Sequence, residues 1–330
     1  MKPAKAILTT ALAGGFFLKV LIKNHRKFDQ KKIMNDTNLK LSFEFFPAAN
    51  SIAEEKAWES LKKLENFNPQ FFSVTFGAGG GERLKTDSFV KRINKESLVP
   101  VAGHLTCVDM SKDEINDLAL GWFEKGISKI VALRGDVREQ GKKYAPHPSG
   151  YINAADMVAG LKKLANFDIA VGGYPEIHPD SKNKQDDIDN LKRKVDAGAD
   201  KIITQYFFDK DVFLRYRDTV TAAGIKIQLI PGIMPISNFK KIQNFSKMCG
   251  ASIPDWVANE FANLDETPEV QHLVGASLAS DLVKKLKKEE VNEFHFYTLN
   301  KYELTFAVCT RLLSLQNNKN NNKNKGEARA

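Results

Sequence analysis

The sequence predicts a (β/α)8 barrel, the TIM-barrel class of α/β folds. Eight short β-rich runs are separated by stretches with helical signals, and polar residues interrupt or end the runs. Alternating strands and helices are typical of a parallel sheet with crossover helices, and eight such units close a barrel. The runs are LSFEFF from Leu41, FFSVTF from Phe71, PVAGHLTC from Pro100, KIVALRGD from Lys129, IAVGGYP from Ile169, KIITQYFF from Lys201, IQLIPGI from Ile227 and EFHFYTLN from Glu293.

Polar residues near the carboxyl ends of these runs are the first site candidates, because the active site of such a barrel gathers there. Polar side chains at these positions are not needed to form an apolar core. They are Glu44, Thr75, His104, Arg134, Asp136, Tyr174, Gln205 and Asn300.

Capping residues and glycines mark the helices between the runs. Ser51 with Glu54 and Ser111 with Glu114 fit the Ser-x-x-Glu capping box, so we expect two helices to open there. Three glycines precede the next strand, where a left-handed residue can end a helix. They are Gly126, Gly198 and Gly224. The segment 238–290 is too long for one crossover and predicts extra helices between strands seven and eight, the last at 273–286.

We expect one barrel domain, residues 41–315. A basic leader (1–40) precedes it, and an Asn/Lys-rich tail (316–330) follows it. The tail lacks apolar periodicity, so we expect disorder. The leader holds an apolar run that is short for a membrane span and has no signal-peptide cleavage site. We interpret residues 1–33 as a disordered leader or as a start assigned too early, with Met34 opening the protein.

Charge and cysteine usage narrow the function classes. The net charge is +9, but the leader carries +7 and the tail +3, which leaves the barrel region at −1. A nearly neutral body has no basic stripe to follow a nucleic acid, so we expect neither nucleic acid nor membrane as a partner. Three scattered cysteines without a CxxC pair indicate a reducing compartment, the cytoplasm.

Glu44 is the most suggestive side chain, since it lies between Phe43 and Phe45 on a strand expected to be buried. Desolvation by aromatic neighbours raises the pKa of a carboxyl group and can keep it protonated for proton donation. The alternative is that strand alternation turns Glu44 outward between the two phenylalanines, and periodicity alone does not decide between the two.

A glycine-rich stretch at 77–81 follows strand two but fails the dinucleotide-binding fingerprint, because Glu82 takes the place of its last glycine. Basic groups, Arg134 and the run 190–194 among them, are expected around the same rim. They could hold a phosphate or pyrophosphate, although the basic run equally fits a solvated helix face.

Metal and Schiff-base chemistry find little support. Four candidate metal ligands match none of the usual zinc spacings, so we expect no metal. They are His104, Cys107, His147 and His178. Lys201 stands at the beginning of its strand, the wrong end of the barrel for an aldolase nucleophile.

The site candidates belong to eight motifs that follow one another in order between Leu41 and Leu315. The motifs are FEFFP (43–47), SVTFGAGGGER (73–83), HLTC (104–107), VALRGD (131–136), YPEIHP (174–179), LKRKVDAGADKIITQYFFD (191–209), PGIMPISNF (231–239) and HFYTLN (295–300). Together they resemble the methylenetetrahydrofolate reductase family, in its short, bacterial type.

The resemblance implies an FAD-containing (β/α)8 barrel. In such enzymes hydride passes from NADH or NADPH to the flavin and then to 5,10-methylenetetrahydrofolate. The product, 5-methyltetrahydrofolate, supplies methyl groups for methionine synthesis. The two substrates use the flavin in turn, so the kinetics are ping-pong. The resemblance also implies a cytoplasmic enzyme that prefers NADH, and it favours a homo-oligomer.

The resemblance assigns roles to individual residues. Glu44 becomes the general acid that helps open the five-membered ring of the folate, and Asp136 tunes the flavin and assists substrate binding. The FAD-binding positions are Thr75, Phe76, Ala78, His104, Arg134, Gly135, Asp136, Ala154, Tyr174, His178, Asp187, Asn190, Arg193 and Lys194. The substrate-binding positions are Thr75, Asp136, Gln205, Lys241, Phe245, Tyr297 and Lys301.

The sequence departs from the family pattern in three places. Lys301 stands where relatives usually have Arg, so a two-pronged grip on a carboxylate becomes a point contact. Lys241 replaces a frequent Gln in the same region and could compensate. The loop 137–151 is longer and lacks the prolines that relatives commonly have directly after the RGD motif, which weakens the assignment of Ala154.

Two other function classes stay open from the sequence. One is a metal-dependent hydrolase or lyase on the same barrel, because fold alone does not decide function. The other is a non-catalytic barrel that binds a partner. That class predicts damaged site residues, whereas Glu44, Asp136 and Gln205 are all present.

Overall fold

The protein closes eight parallel strands into a barrel in the computed structural model, which describes residues 39–76, 80–136 and 144–313. Each strand pairs with the next along the chain, and β8 pairs with β1. The strands are β1 (Lys40–Phe45), β2 (Phe71–Val74), β3 (Val101–Thr106), β4 (Lys129–Leu133), β5 (Asp168–Gly173), β6 (Lys201–Tyr206), β7 (Gln228–Ile233) and β8 (Glu293–Tyr297). The predicted fold class and all eight predicted strands are confirmed.

Helices surround the barrel, and three of them lie between β7 and β8, which confirms the prediction for that segment. They are α1 (Ser51–Glu65), α2 (Gly80–Glu96), α3 (Lys112–Phe123), α4 (Ala154–Leu164), α5 (Lys184–Asp196), α6 (Lys210–Ala222), α7 (Phe239–Cys249), α8 (Asp255–Glu260) and α9 (Pro268–Lys288). A last helix covers 303–313. The helix expected at 273–286 is longer because Pro268 opens it, as proline does well in a first turn.

One of the two predicted capping boxes is confirmed. The Ser111 side chain accepts from Glu114 N, and the Glu114 carboxylate accepts from Ser111 N at 2.8 Å. The prediction for Ser51 is wrong: Asn50 is the cap, its side chain accepts from Ala53 N at 2.9 Å, and Ser51 is already helical. Asn caps at least as well as Ser, so the residue one position earlier wins.

The three predicted helix-ending glycines all adopt the left-handed conformation. Their φ angles are 81° at Gly126, 111° at Gly198 and 78° at Gly224. Glycine takes this conformation without the steric cost that a Cβ atom brings, so each helix can stop just before the next strand.

The two faces of each strand point to different layers. On β1, Phe43 and Phe45 are fully buried and belong to the large cluster between barrel and helices. The barrel interior is a smaller cluster made by the opposite face of the strands. Its members are Phe71, Ala102, Val131, Ala170, Ile203 and Ile230. Because side chains alternate along a strand, Ser42 and Glu44 turn towards this interior.

The predicted leader and tail lie outside the described residues, apart from residues 39 and 40. The glycine-rich positions 77–79 and the loop positions 137–143 also lie outside them. Among the helices that the structure describes, none combines the length and apolar character needed to cross a bilayer.

Gly103→Ala tests the packing between barrel and helices. A Cβ atom on Gly103 of β3 would come within 2.2 Å of the Trp122 ring on α3. We expect the free energy of unfolding to fall by about 1–3 kcal/mol, the usual cost of overpacking, in urea unfolding experiments. Gly121→Ala is the control, since nothing lies within 4 Å of its Cβ position and alanine favours a helix. Equal effects of the two variants would contradict this account.

Candidate active site

A cavity of about 570 Å³ opens at the carboxyl ends of the strands. This volume is typical of sites for small molecules and cofactors. Ten of the predicted site residues line it: Glu44, Thr75, Phe76, His104, Gly135, Asp136, Tyr174, Gln205, Phe245 and Tyr297. The structure thus brings together side chains from seven of the eight strands or the loops that follow them.

A second concavity, of about 690 Å³, lies at the opposite end of the barrel. Its lining includes Lys40, Gln228 and Glu293, which stand at the start of β1, β7 and β8. Active sites of such barrels form at the carboxyl ends of the strands, so we assign the smaller cavity as the candidate active site.

The Glu44 carboxylate lies between two buried histidine rings. Its Oε2 atom is 3.5 Å from Nε2 of His104 on β3 and 3.7 Å from Nε2 of His295 on β8. Within the described residues, neither Nε2 atom has a hydrogen-bond partner. The Glu44 side chain is 19% exposed, so it faces the barrel interior and still reaches the cavity.

His295 is fixed from two sides beneath Glu44. Its Nδ1 atom lies 2.8 Å from Ser42 Oγ on β1. The Phe71 ring stacks on it with 5.8 Å between ring centroids and 23° between planes. These contacts leave Nε2 directed at the Glu44 carboxylate.

His104 is neutral at physiological pH. Burial lowers its pKa to about 4, an effect that the Glu44 carboxylate opposes and His295 reinforces. The ring therefore offers one donor and one acceptor nitrogen without a positive charge. A charged ligand in the cavity would meet a polar but uncharged wall at this point.

Asp136 and Tyr174 line the cavity from the segments that directly follow β4 and β5. Burial raises the pKa of Tyr174 to about 12, and the negative charge of Asp136 adds to this. The Tyr174 ring packs edge-on against His178, with 4.5 Å between centroids. Tyr174 is therefore a neutral, positioned phenol beside an acidic residue.

The opposite wall is aromatic. Phe245 on α7 is 41% exposed and stacks on Tyr206, with 6.0 Å between ring centroids and 13° between planes. The Tyr206 hydroxyl lies 2.8 Å from Ser246 Oγ, which ties α7 to β6. Tyr297 donates its hydroxyl to Thr204 O at 2.7 Å, and Gln205 Oε1 accepts from Tyr206 N.

Other predicted residues do not line the cavity. Arg134 forms an ion pair with Asp180, 2.7 Å from Nη1 to Oδ2, and Asp187 accepts from Ser181 Oγ at 3.0 Å. Burial raises the pKa of Asp187 and lowers that of His178. The predicted site residues that do not line the cavity are Arg134, Ala154, His178, Asp187, Asn190, Arg193, Lys194, Lys241 and Lys301. Ala78 lies outside the described residues.

Lys194 is buried, and its ammonium donates to the carbonyl of Gly172 at 2.7 Å. Burial lowers its pKa to about 8, which the Asp187 carboxylate opposes. Gly172 lines the cavity, so Lys194 supports the cavity wall from behind. Arg193, the other residue of the predicted basic pair, is exposed on α5.

Sequence reasoning missed several cavity residues. Gly172 and Gly173 could have been found, because glycines inside a strand mark close approach by another group. The others are apolar or depend on long-range contacts, and no local signal distinguishes them from core residues. They are Phe46, Thr106, Val108, Val131, Leu133, Ile203, Met234 and Leu299. His295 beside Glu44 was missed for the same reason.

Comparison with known proteins decides the family. The family model described as Methylenetetrahydrofolate reductase matches residues 29–313. The chain belongs to this family. Proteins named 5,10-methylenetetrahydrofolate reductase from Pectobacterium carotovorum subsp. carotovorum and Escherichia coli (strain K12) are each 47% identical to it over 274 residues. Each alignment covers 83% of this chain and 90% of the relative.

A solved structure supports the fold of this family member. It is an uncharacterized protein from Clostridium thermocellum that binds two copies of 5-methyl-5,6,7,8-tetrahydrofolic acid. The TM-score is 0.58 at 13% sequence identity, over 87% of this chain and all of the other. In the described part of the chain, no group of three or more His, Cys, Asp and Glu side chains is placed to hold a metal ion.

His104→Gln tests the buried neutral histidine. The pKa is about 4 in the folded chain and 6.5 as its ordinary value. Between these pH values the unfolded chain binds a proton that the folded chain does not, so the free energy of unfolding falls as pH falls. We expect the free energy of unfolding to fall between pH 7 and pH 4 in both proteins. The fall should be about 3 kcal/mol larger in the wild type than in the variant, measured by urea unfolding.

Gly121→Ala, which removes no titratable group, is the control and should keep the wild-type pH dependence. Parallel pH profiles for the wild type and His104→Gln would show that His104 is not held neutral by burial.

Proposed function

We propose that the protein reduces 5,10-methylenetetrahydrofolate to 5-methyltetrahydrofolate. Membership of the methylenetetrahydrofolate reductase family supports the reaction. We further propose FAD as the cofactor, NADH (or NADPH) as the reductant and a ping-pong order of the two substrates. The sequence motifs that resemble the family support these three points.

One observation carries the proposal: Glu44, an ionisable carboxyl group, reaches the cavity between His104 and His295. Reduction needs the five-membered ring of the folate to open. We propose that Glu44 donates a proton to the ring nitrogen that leaves, which yields a 5-iminium cation able to accept hydride. Asp136, in the segment after β4, also lines the cavity. We propose that its negative charge stabilises the cationic intermediate.

The cavity fits a flavin ring. Its volume of about 570 Å³ accommodates a flat aromatic group, and Gly172 leaves the cavity wall without a side chain at its position. The unpartnered Nε2 of His104 is a buried polar atom that could meet a polar edge of such a ring. When bound, the flavin would supply the hydride relay between the two substrates.

The predicted FAD-binding residues that do not line the cavity are proposed to hold the rest of the cofactor. Arg134 and Arg193 suit the pyrophosphate, because guanidinium groups match its oxygens. Lys194 is assigned to the same group by the resemblance, although its ammonium here donates to Gly172 O. Gln205, Phe245, Tyr297, Lys241 and Lys301 are proposed to bind the folate or the nicotinamide.

We also propose that residues 41–315 form the catalytic unit of a cytoplasmic homo-oligomer. The closed barrel over β1 to β8 supports one catalytic domain. Family membership counts against the metal-dependent hydrolase and the non-catalytic barrel.

An anaerobic absorbance titration tests the proposal. The FAD-loaded protein should lose its flavin absorbance with NADH and regain it with methylenetetrahydrofolate. A protein that stays colourless after addition of FAD would overturn the cofactor assignment. A flavin that NADH reduces but folate never reoxidises would overturn the substrate assignment.

Glu44→Gln tests the general acid. The amide keeps the shape of the carboxyl group but cannot donate the proton, so reoxidation by methylenetetrahydrofolate should slow by at least about 100-fold. Reduction by NADH should change by less than about threefold, because that step needs no such acid. Stopped-flow absorbance measures both half-reactions.

Glu293→Gln, at the opposite end of the barrel, is the matched control and should leave both rates unchanged. Equal loss of both half-reactions in Glu44→Gln would refute the role of Glu44 as an acid.

A further inference from the structure

The turn after β8 has an unusual backbone. Leu299 and Asn300 both have positive φ angles, 52° and 57°. The left-handed region is unfavourable for a residue with a Cβ atom, and least so for Asn. Two such residues in succession persist only where other contacts hold them.

Asn300 makes those contacts with the end of β1. Its Oδ1 atom accepts from Phe46 N at 2.9 Å, and its Nδ2 atom donates to Phe46 O at 2.8 Å. Its own carbonyl accepts from Ser60 Oγ on α1 at 3.0 Å. One side-chain amide therefore satisfies both backbone groups of Phe46 across 254 positions of sequence.

Thr298 connects the same turn to the backbone of Glu44. Its Oγ1 atom donates to Glu44 O at 2.6 Å and accepts from Asn300 N at 3.1 Å. The regular ladder between β1 and β8 stops at the pair Glu44 and Tyr297. Beyond that pair, a backbone bond of 3.4 Å runs from Thr298 N to Glu44 O, and the side chains of Thr298 and Asn300 reinforce it. We call the two bonds between Asn300 and Phe46 and the two bonds of Thr298 Oγ1 the β1–β8 clamp.

The β1–β8 clamp also shapes the cavity. Phe46 and Leu299 both line it, and they are 40% and 37% exposed. The left-handed turn places Leu299 beside the segment that Asn300 holds. The clamp thus fixes both the backbone of Glu44 and two apolar residues that line the same cavity, Phe46 and Leu299.

We propose that Asn300 is a positioning residue for the Glu44 acid. It holds the Glu44–Phe46 segment in place so that the carboxyl group meets the folate in one geometry, next to an apolar wall that excludes water. Small displacements of a catalytic group cost large factors in rate, so loss of the clamp should affect the acid-dependent step selectively. This proposal rests on the proposed reductase function.

Two substitutions separate the amide from the backbone conformation. Asn300→Ala removes the amide and disfavours the left-handed conformation. Asn300→Gly removes the amide but accepts that conformation freely. If the amide bonds matter, both variants should slow reoxidation by methylenetetrahydrofolate by about 10- to 100-fold. Reduction by NADH should stay within about twofold of the wild type, because the flavin positions are untouched.

Asn66→Ala is the matched control. Asn66 also donates its side-chain amide to backbone carbonyls, those of Lys62 and Lys63, but at the end of α1. This variant should leave both half-reactions unchanged. The pH profile of reoxidation adds a second readout: it should change shape in both Asn300 variants and not in the Asn66 variant.

Three results would overturn the proposal. They are full activity of Asn300→Gly, equal loss of both half-reactions with weaker FAD binding, and an unchanged reoxidation rate in Asn300→Ala. If the wild type itself fails to reduce the folate, the proposed function is wrong. Amide hydrogen exchange then tests whether Asn300 holds the end of β1. Faster exchange at Phe46 N in Asn300→Ala, with the rest of β1 unchanged, would support it; unchanged exchange would reject it.

Discussion

The two-residue period of the barrel strands decides which side chains meet in the centre. On β1, the phenylalanines at positions 43 and 45 pack outwards against the helices, where Phe43 contacts the rings of Phe72 and Phe296. This outward burial is large for each ring and fixes the register of the strand. A register shift of one residue would place Glu44 under the helices and two aromatic rings inside the barrel. The position of the acid therefore follows from the packing of its neighbours.

Neutral polar groups dominate the walls around that acid. His104 is kept uncharged by burial, and Tyr174 is kept protonated by burial and by Asp136. Such groups orient a ligand through hydrogen bonds without a strong field of their own. Outside the cavity lining, Arg134 is paired with Asp180. The acidic side chains that line the cavity are Glu44 and Asp136.

The fold could be predicted because its signals are local. Alternation, capping residues and helix-ending glycines each act over a few positions, and only the cap at Ser51 was misassigned, by one residue. Part of the site could be predicted from polar residues near the carboxyl ends of strands. This signal identified Glu44, Asp136 and Gln205 as cavity residues. His295 escaped because an alternating strand of Phe, His and Phe gives no sign of what the inward histidine faces. The role of Asn300 depends on Phe46, which is distant in sequence and joined to it only by the closed barrel.

Closure of the barrel has a consequence for synthesis of the chain. Glu44 stands on the first strand, while His295, Thr298 and Asn300 stand on or after the last, and the bonds between these ends span about 250 positions. Chains emerge from the ribosome with the amino terminus first. A nascent chain that has made seven strands holds Glu44 and His104 but still lacks His295, Thr298 and Asn300. The surroundings of Glu44, the proposed proton donor, are therefore completed last, so that a truncated product would carry an open seam beside β1.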